Sequence, residues 1–126
     1  MDTKTKLINE ARKYLGEFKL SENYLTAGSV SAALITKNGN IYTGICVDLA
    51  CGIGFCAEHS AISEMLKNRE TEIDMLVAIS ENGILPPCGR CRELMLQLNK
   101  NNKETKIIID ENKIVTLGEL LPYSWI

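Results

Sequence analysis

Apolar positions along this chain change their period several times, and each change predicts an element. Over residues 5–18, Leu7, Ile8, Ala11, Tyr14, Leu15 and Phe18 recur at three- and four-residue steps among charged positions, which predicts an amphipathic helix. Gly16 weakens its last turn, and Gly28 beside Ser29 predicts a loop before the next segment. Residues 29–36 and 41–49 are rich in Val, Ile, Ala and Leu, and Asn38-Gly39 between them is a tight-turn signal, so two antiparallel strands are expected. Residues 50–55, with Gly52 and Gly54, read as a loop. Ala57, Ala61, Ile62, Met65 and Leu66 return at helical spacing, which predicts a helix over 56–67.

The pattern then gives a buried strand at 73–80, a loop at 81–87, a helix at 88–99, strands at 106–109 and 114–115, and a short closing helix at 116–121 before Pro122. Strands that alternate with helices favour parallel pairing, whereas the opening hairpin must be antiparallel. A mixed sheet covered by helices follows.

Composition narrows the class. The chain has 126 residues, 45% hydrophobic and 24% charged, which suits one core and hence a single domain over residues 1–126. No run of about 18 apolar residues offers a membrane span, so a soluble chain with no membrane partner is expected. Fourteen Lys plus Arg against sixteen Asp plus Glu leave a net charge of −2. A protein that neutralises phosphates would carry a basic excess, so no nucleic-acid partner is expected. Residues 1–6 show no hydrophobic signal core, which predicts a cytoplasmic location.

Five cysteines in a reducing compartment predict thiols rather than a disulfide framework. Cys88 and Cys91 form the pair Pro87-Cys88-Gly89-Arg90-Cys91, and Cys56 stands at the start of another predicted helix. Helix N-termini present unpaired N–H groups and a positive dipole end, which favour thiolates. Zinc is the metal that best fits three sulfurs. The same residues admit two other readings: a closed structural site in which His59 is the fourth ligand, and a redox Cys-x-x-Cys. Cys46 and Cys51 have no partner at metal spacing and read as packing residues.

Cys56-Ala57-Glu58 followed by Pro87-Cys88-Gly89-Arg90-Cys91 resembles the cytidine deaminase superfamily, in its branch with three cysteine ligands. The likeness runs from the first helix to Glu119-Leu120-Leu121-Pro122, and the stretch 83–94 is similar to blasticidin S deaminases. It implies a three-layer α/β/α sandwich with a mixed five-stranded sheet, one Zn²⁺ on Cys56, Cys88 and Cys91, and Glu58 as the proton shuttle. A metal on three protein ligands keeps a fourth position for solvent and can lower the pKa of a water there from about 15.7 toward about 7. The implied reaction is hydrolytic deamination of a free cytosine nucleoside, cytidine or deoxycytidine. Blasticidin S or another modified cytosine nucleoside is the alternative substrate, and a non-catalytic zinc-stabilised interaction module is the alternative from another class.

Three thiolates leave the metal site at net −1, so positive groups should compensate. The candidates are the two helix dipoles with Arg90, Arg92 and His59. Many relatives carry an arginine where this chain has His59, so Arg90 or Arg92 is expected to supply that charge. The resemblance also implies substrate contacts at Cys46, Asp48, Phe55, Ala57 and Trp125. Cys46 and Asp48 stand where relatives have the Asn and Glu that grip the ribose, and Trp125 where an aromatic closes over the base, often in a neighbouring subunit. An aromatic that many relatives carry before the first strand is absent near Gly28. A homotetramer is implied as well.

Overall fold

The computed structural model describes residues 1–18, 20–21 and 24–126. Among the described residues ten elements of regular structure follow one another: α1 (Thr3–Arg12), β1 (Thr26–Thr36), β2 (Ile41–Asp48), α2 (Ala57–Lys67), β3 (Ile73–Ser80), β4 (Gly83–Leu85), α3 (Gly89–Leu98), β5 (Lys106–Asp110), β6 (Lys113–Thr116) and α4 (Leu117–Leu120). Short 3₁₀ turns occupy Ala50–Gly52 and Lys100–Glu104.

α1 starts where the Asp2 carboxylate accepts the Thr5 N–H at 2.8 Å and stops at Arg12, well short of the predicted Phe18. Gly16 takes a φ of +142°, which no helix contains, and its N–H donates to Gly28 O at 2.8 Å. Phe18 then bridges Ala27 as extended chain. The apolar residues after Arg12 belong to this return along β1, so their helical spacing is a coincidence of a turn.

The sheet runs β2-β1-β3-β5-β6, with β3 and β5 parallel and the other neighbours antiparallel. These five strands are the predicted ones. A sixth, β4, pairs with β3 through Ala78, Ile79 and Ser80, beyond the point where β5 has left that edge. Residues 81–87 were expected to be loop throughout. A three-residue strand beside Pro86 and Pro87 carries too little alternation to be visible.

Alternation along β3 sorts the two cores. Leu76 and Ala78 face α2 and its neighbours, whereas Met75, Val77 and Ile79 face α1 with Leu7, Ile8 and Ala11. α2, α3 and α4 share the first face through Ala61, Ile62, Met65, Met95 and Leu117. The result is an α/β/α sandwich with one helix on one side and three on the other.

Two contacts fix where α2 and α3 lie. A Cβ at Gly44 would fall on the Ala61 backbone nitrogen and within 2.6 Å of Ser60 Cβ, so the bare backbone of β2 lets α2 settle directly on the sheet. At the far end of α3 the buried Asn102 side chain accepts the Ile73 N–H at 2.8 Å and donates to Met95 O and Thr71 O, each at 2.9 Å. Thr105 Oγ1 donates to Ile73 O at 2.7 Å. This buried polar cluster pins the end of α3 to the start of β3.

Candidate metal centre and cleft

Cys56 and Cys88 occupy matching positions. Each is the extended residue just before a helix, Cys56 with φ −74° and ψ 155° ahead of α2, and Cys88 with φ −70° and ψ 168° ahead of α3. The predicted helices are one residue shorter at this end because the cysteines act as caps. Cys91 lies one turn into α3 and is fully buried. β4 returns the chain along β3 into Pro86, Pro87 and Cys88. On the other side, Phe55 exchanges backbone hydrogen bonds with Val47 at 2.9 and 3.0 Å and delivers Cys56 beside β2.

The sulfurs converge. Cys56 Sγ lies 3.6 Å from Cys88 Sγ, and Cys88 Sγ 3.7 Å from Cys91 Sγ. All three Sγ atoms lie within 4.8 Å of one another, and no imidazole nitrogen joins the group among the described residues. Zinc–sulfur bonds of about 2.3 Å in a tetrahedron require sulfurs about 3.8 Å apart, so the residues fit a zinc ion with three ligands. Burial pushes the Cys91 thiol strongly up, and the nearby Glu58 and Cys56 charges add to the shift. Burial also raises Cys56, with the Cys88 hydrogen bond next in effect. At Cys88 burial works upward too, but backbone N–H groups of Cys91 and Arg90 and the neighbouring thiols outweigh it, and its pKa falls. A dication is the partner that makes three adjacent sulfur anions stable together.

Glu58 sits one residue into α2 beyond Ala57, only 5% exposed, on the wall of a cleft of about 470 Å³. That volume suits a small organic substrate. Burial raises the Glu58 pKa above the ordinary carboxylate range, partly offset by its own backbone N–H. A buried carboxyl beside a metal site is placed to take and return protons.

The other expected site residues divide. Cys46, Asp48, Phe55, Ala57 and Arg90 line the same cleft as Cys56, Cys88 and Glu58. Trp125 does not: it is 83% exposed, and its backbone N–H donates to Glu93 Oε1 at 2.9 Å. Arg92 is committed elsewhere, its Nε donating to Pro87 O at 2.7 Å and its Nη1 to Leu120 O at 2.9 Å. It braces the loop before Cys88 against α4, which leaves Arg90 as the arginine on the cleft wall. His59 lies outside the cleft with Nδ1 3.5 Å from Cys91 Sγ; burial, then the Arg90 charge, lowers its pKa.

Ser29 and Val30 also line the cleft, and sequence reasoning missed them as site residues. The Cys46 thiol sits 3.2 Å from Ser29 Oγ, accepts the Val30 N–H at 3.3 Å and lies 3.8 Å from Asp48 Oδ2. A register shift between Ala27 and Ser31 crowds extra β1 residues opposite Cys46 and turns this stretch toward the cleft. The only sequence hint was Gly28, which adopts a φ of +87° there.

A mixed sheet clad by helices, two helix N-termini sharing three sulfurs and a buried carboxyl facing the open side define a metal-dependent hydrolytic enzyme. Comparison with known proteins agrees. Residues 3–106 match the model of the cytidine and deoxycytidylate deaminase zinc-binding region. A cytidine deaminase of Halalkalibacterium halodurans is 28% identical over 74% of each chain, and a blasticidin-S deaminase of Bacillus cereus 29% over 76% of each. The crystal structure of cytidine deaminase from Mycobacterium leprae superposes with a TM-score of 0.79 at 27% identity, covering 97% of this chain and 99% of its own. The chain belongs to the cytidine and deoxycytidylate deaminase family: it is a zinc-binding deaminase, a hydrolase of C–N bonds.

Proposed function

We propose that this enzyme deaminates a free cytosine nucleoside, cytidine or deoxycytidine, to the uracil nucleoside and ammonia. The observation that carries the reading is the buried Glu58 carboxyl on the cleft wall beside the three converging sulfurs. Cys56, Cys88 and Cys91 would hold the zinc, which when bound supplies the Lewis acidity that makes water a nucleophile at neutral pH. Glu58 takes a proton from the attacking water and delivers it to the ring nitrogen. It then takes the second proton from the hydroxyl now on that carbon and gives it to the amine, which departs as ammonia as the C–N bond breaks and the carbonyl forms. Ala57 and Phe55 wall the base, and Arg90 offsets the negative charge of the sulfurs.

The far wall supports a nucleoside rather than a nucleotide. Asp48 and Glu58 line the cleft with the sulfurs, and Arg90 is the one cation on its wall among the described residues, so a 5′-phosphate meets net repulsion.

A second reading, blasticidin S or another modified cytosine nucleoside, draws on the Cys46 wall. With its thiol already engaged by Ser29 and Val30, that wall offers a ribose little beyond the short Asp48 carboxylate. A homotetramer belongs to the proposal too, because Trp125 and Tyr123 stand exposed where a neighbouring copy would bury them, and sedimentation of an active monomer would retire it. No helix among the described residues is long and apolar enough to cross a membrane. A cytoplasmic location and no nucleic-acid partner complete the proposal.

The test is ammonia release from cytidine, deoxycytidine, cytosine, deoxycytidylate and blasticidin S, with Glu58→Ala beside the wild type. Turnover of the first two, abolished in a variant that still holds zinc, is the expected result. Equal activity in both proteins removes Glu58 as the shuttle, and none in either returns the chain to a zinc-stabilised interaction module.

A further inference from the structure

We infer that Ser29, Cys46 and Asp48 make a patch of cleft wall that only accepts hydrogen bonds. The enzyme therefore selects cytosine nucleosides whose sugar turns a donor toward that patch: an amino group above a hydroxyl, and a hydroxyl above fluorine. The inference rests on the nucleoside-deaminase reading and goes on to the chemistry of the sugar. Ser29 is the contact that reads the sugar, and Cys46 is a positioning residue behind it.

The hydrogens of the patch have one consistent arrangement. Cys46 Sγ accepts the Val30 N–H at 3.3 Å, and it lies 3.2 Å from Ser29 Oγ and 3.8 Å from Asp48 Oδ2. A thiol has one hydrogen, and of these three neighbours only the carboxylate has none to give. The S–H therefore points at Asp48, and the Ser29 hydroxyl donates to the sulfur. The reverse would set sulfur lone pairs against the carboxylate. Every donor in the group is then spent, and lone pairs of Ser29 Oγ and of the Asp48 carboxylate are what remains for a ligand in the cleft that both residues line. The sulfur is only 7% exposed, so it acts through its two neighbours. The register shift between Ala27 and Ser31 is what brings Ser29 and Val30 together onto it. Charge works in the same sense. Asp48 and Glu58 line the cleft with the sulfurs, against Arg90 as the one cation on its wall among the described residues, so an ammonium on the sugar gains more than a hydroxyl.

The test compares cytidine and deoxycytidine with nucleosides that carry amino, fluoro or hydrogen at the 2′ or the 3′ position. KM and kcat are measured on the zinc-loaded enzyme, and Kd on zinc-loaded Glu58→Ala, which binds without chemistry. At the position that meets the patch, fluorine in place of hydroxyl should raise KM by about 10-fold and bind no better than hydrogen. An amino group there should lower KM by about 3-fold, with kcat within about 2-fold throughout. Ser29→Ala should weaken the amino and hydroxyl compounds by about 3-fold and leave the fluoro and hydrogen compounds unchanged. Cys46→Asn brings amide N–H donors to the wall and should erase the penalty on fluorine.

Fluorine equal to hydroxyl at both positions overturns the inference, and so does a Ser29→Ala protein that keeps the wild-type ranking and affinities. Should Cys46→Asn fail to fold, the rankings in wild type and Ser29→Ala decide alone. The expected order in Kd without turnover of any compound counts against the proposed activity and leaves the patch standing. No binding of any compound overturns both.

Discussion

α2 and α3 each have one end at the metal centre and one end away from it, and the two ends are built on opposite terms. At the N-terminal ends, three sulfurs crowd together and a buried carboxyl is pushed away from its preferred ionisation. At the C-terminal ends, polar groups are matched to partners. Asn102 joins α3 to β3, and just past α2 Glu70 accepts from Asn38 Nδ2, Asn40 Nδ2 and the Tyr42 hydroxyl at 2.8 to 3.0 Å. Each helix is clamped where it does no chemistry, so its other end can hold groups that would otherwise drift apart or neutralise. Stability and reactivity are separated along the helix axis.

Mutation should expose that separation. The largest effect is expected from Glu58→Ala, which removes the proposed shuttle and should lower kcat by about 10²- to 10⁴-fold in the range known for general acid–base groups. Its thermal midpoint should hold or rise, because an acid whose pKa is raised by burial opposes folding at neutral pH. A large fall in midpoint would contradict the comparison. Asn102→Ala is the mirror experiment. Orphaning the buried Ile73 N–H and Met95 carbonyl and the part-buried Thr71 carbonyl should cost about 3 kcal/mol by denaturant titration, with turnover per folded molecule unchanged.

Gly44→Ala tests the link between the two ends. A methyl there meets the α2 backbone, so α2 must lift from the sheet with Cys56 and Glu58 on it. We expect a stability loss of about 1–3 kcal/mol accompanied by reduced activity, since both properties depend on that contact. Activity that stayed at the wild-type level would show that the metal end tolerates displacement.

The smallest effect concerns acid. The Thr36 hydroxyl and Asn40 amide lead the groups that hold the Glu70 carboxyl down at about 2, with Tyr42 and Asn38 assisting. A depressed acid stabilises the fold above its unfolded pKa of about 4.3, and that contribution is lost as pH falls toward 2. Glu70→Gln should therefore flatten the dependence of the thermal midpoint between about pH 4.3 and pH 2. An unchanged slope there would remove Glu70 from the clamp.

Local pattern made much of this protein legible. The boundaries of β3 were correct to the residue because 73–80 is apolar but for Asp74 and the terminal Ser80, and Asn38-Gly39 marked the hairpin. The three sulfurs were recognisable because Cys56 and the Cys88–Cys91 pair open helices, where spacing along the chain already fixes which side chains share a turn. α1 was read too long because Tyr14, Leu15 and Phe18 fall at helical steps although the chain has turned at Gly16. β4 was missed because three residues carry no period.

What the amino-acid order determined alone was the set of chemical groups: three thiols at helix starts, one acid two residues beyond the first, and strands able to form one sheet. Tertiary structure decided how those groups were used. It turned Arg92 away from the sulfurs onto two carbonyls, brought His59 Nδ1 to Cys91 and wedged Ser29 against Cys46. It also left Trp125 outside the cleft of its own chain. Periodicity reports which face of an element a side chain occupies. The partner across a gap depends on how closely two elements approach, and that distance is set by contacts such as Gly44 against α2, which no local window of sequence contains.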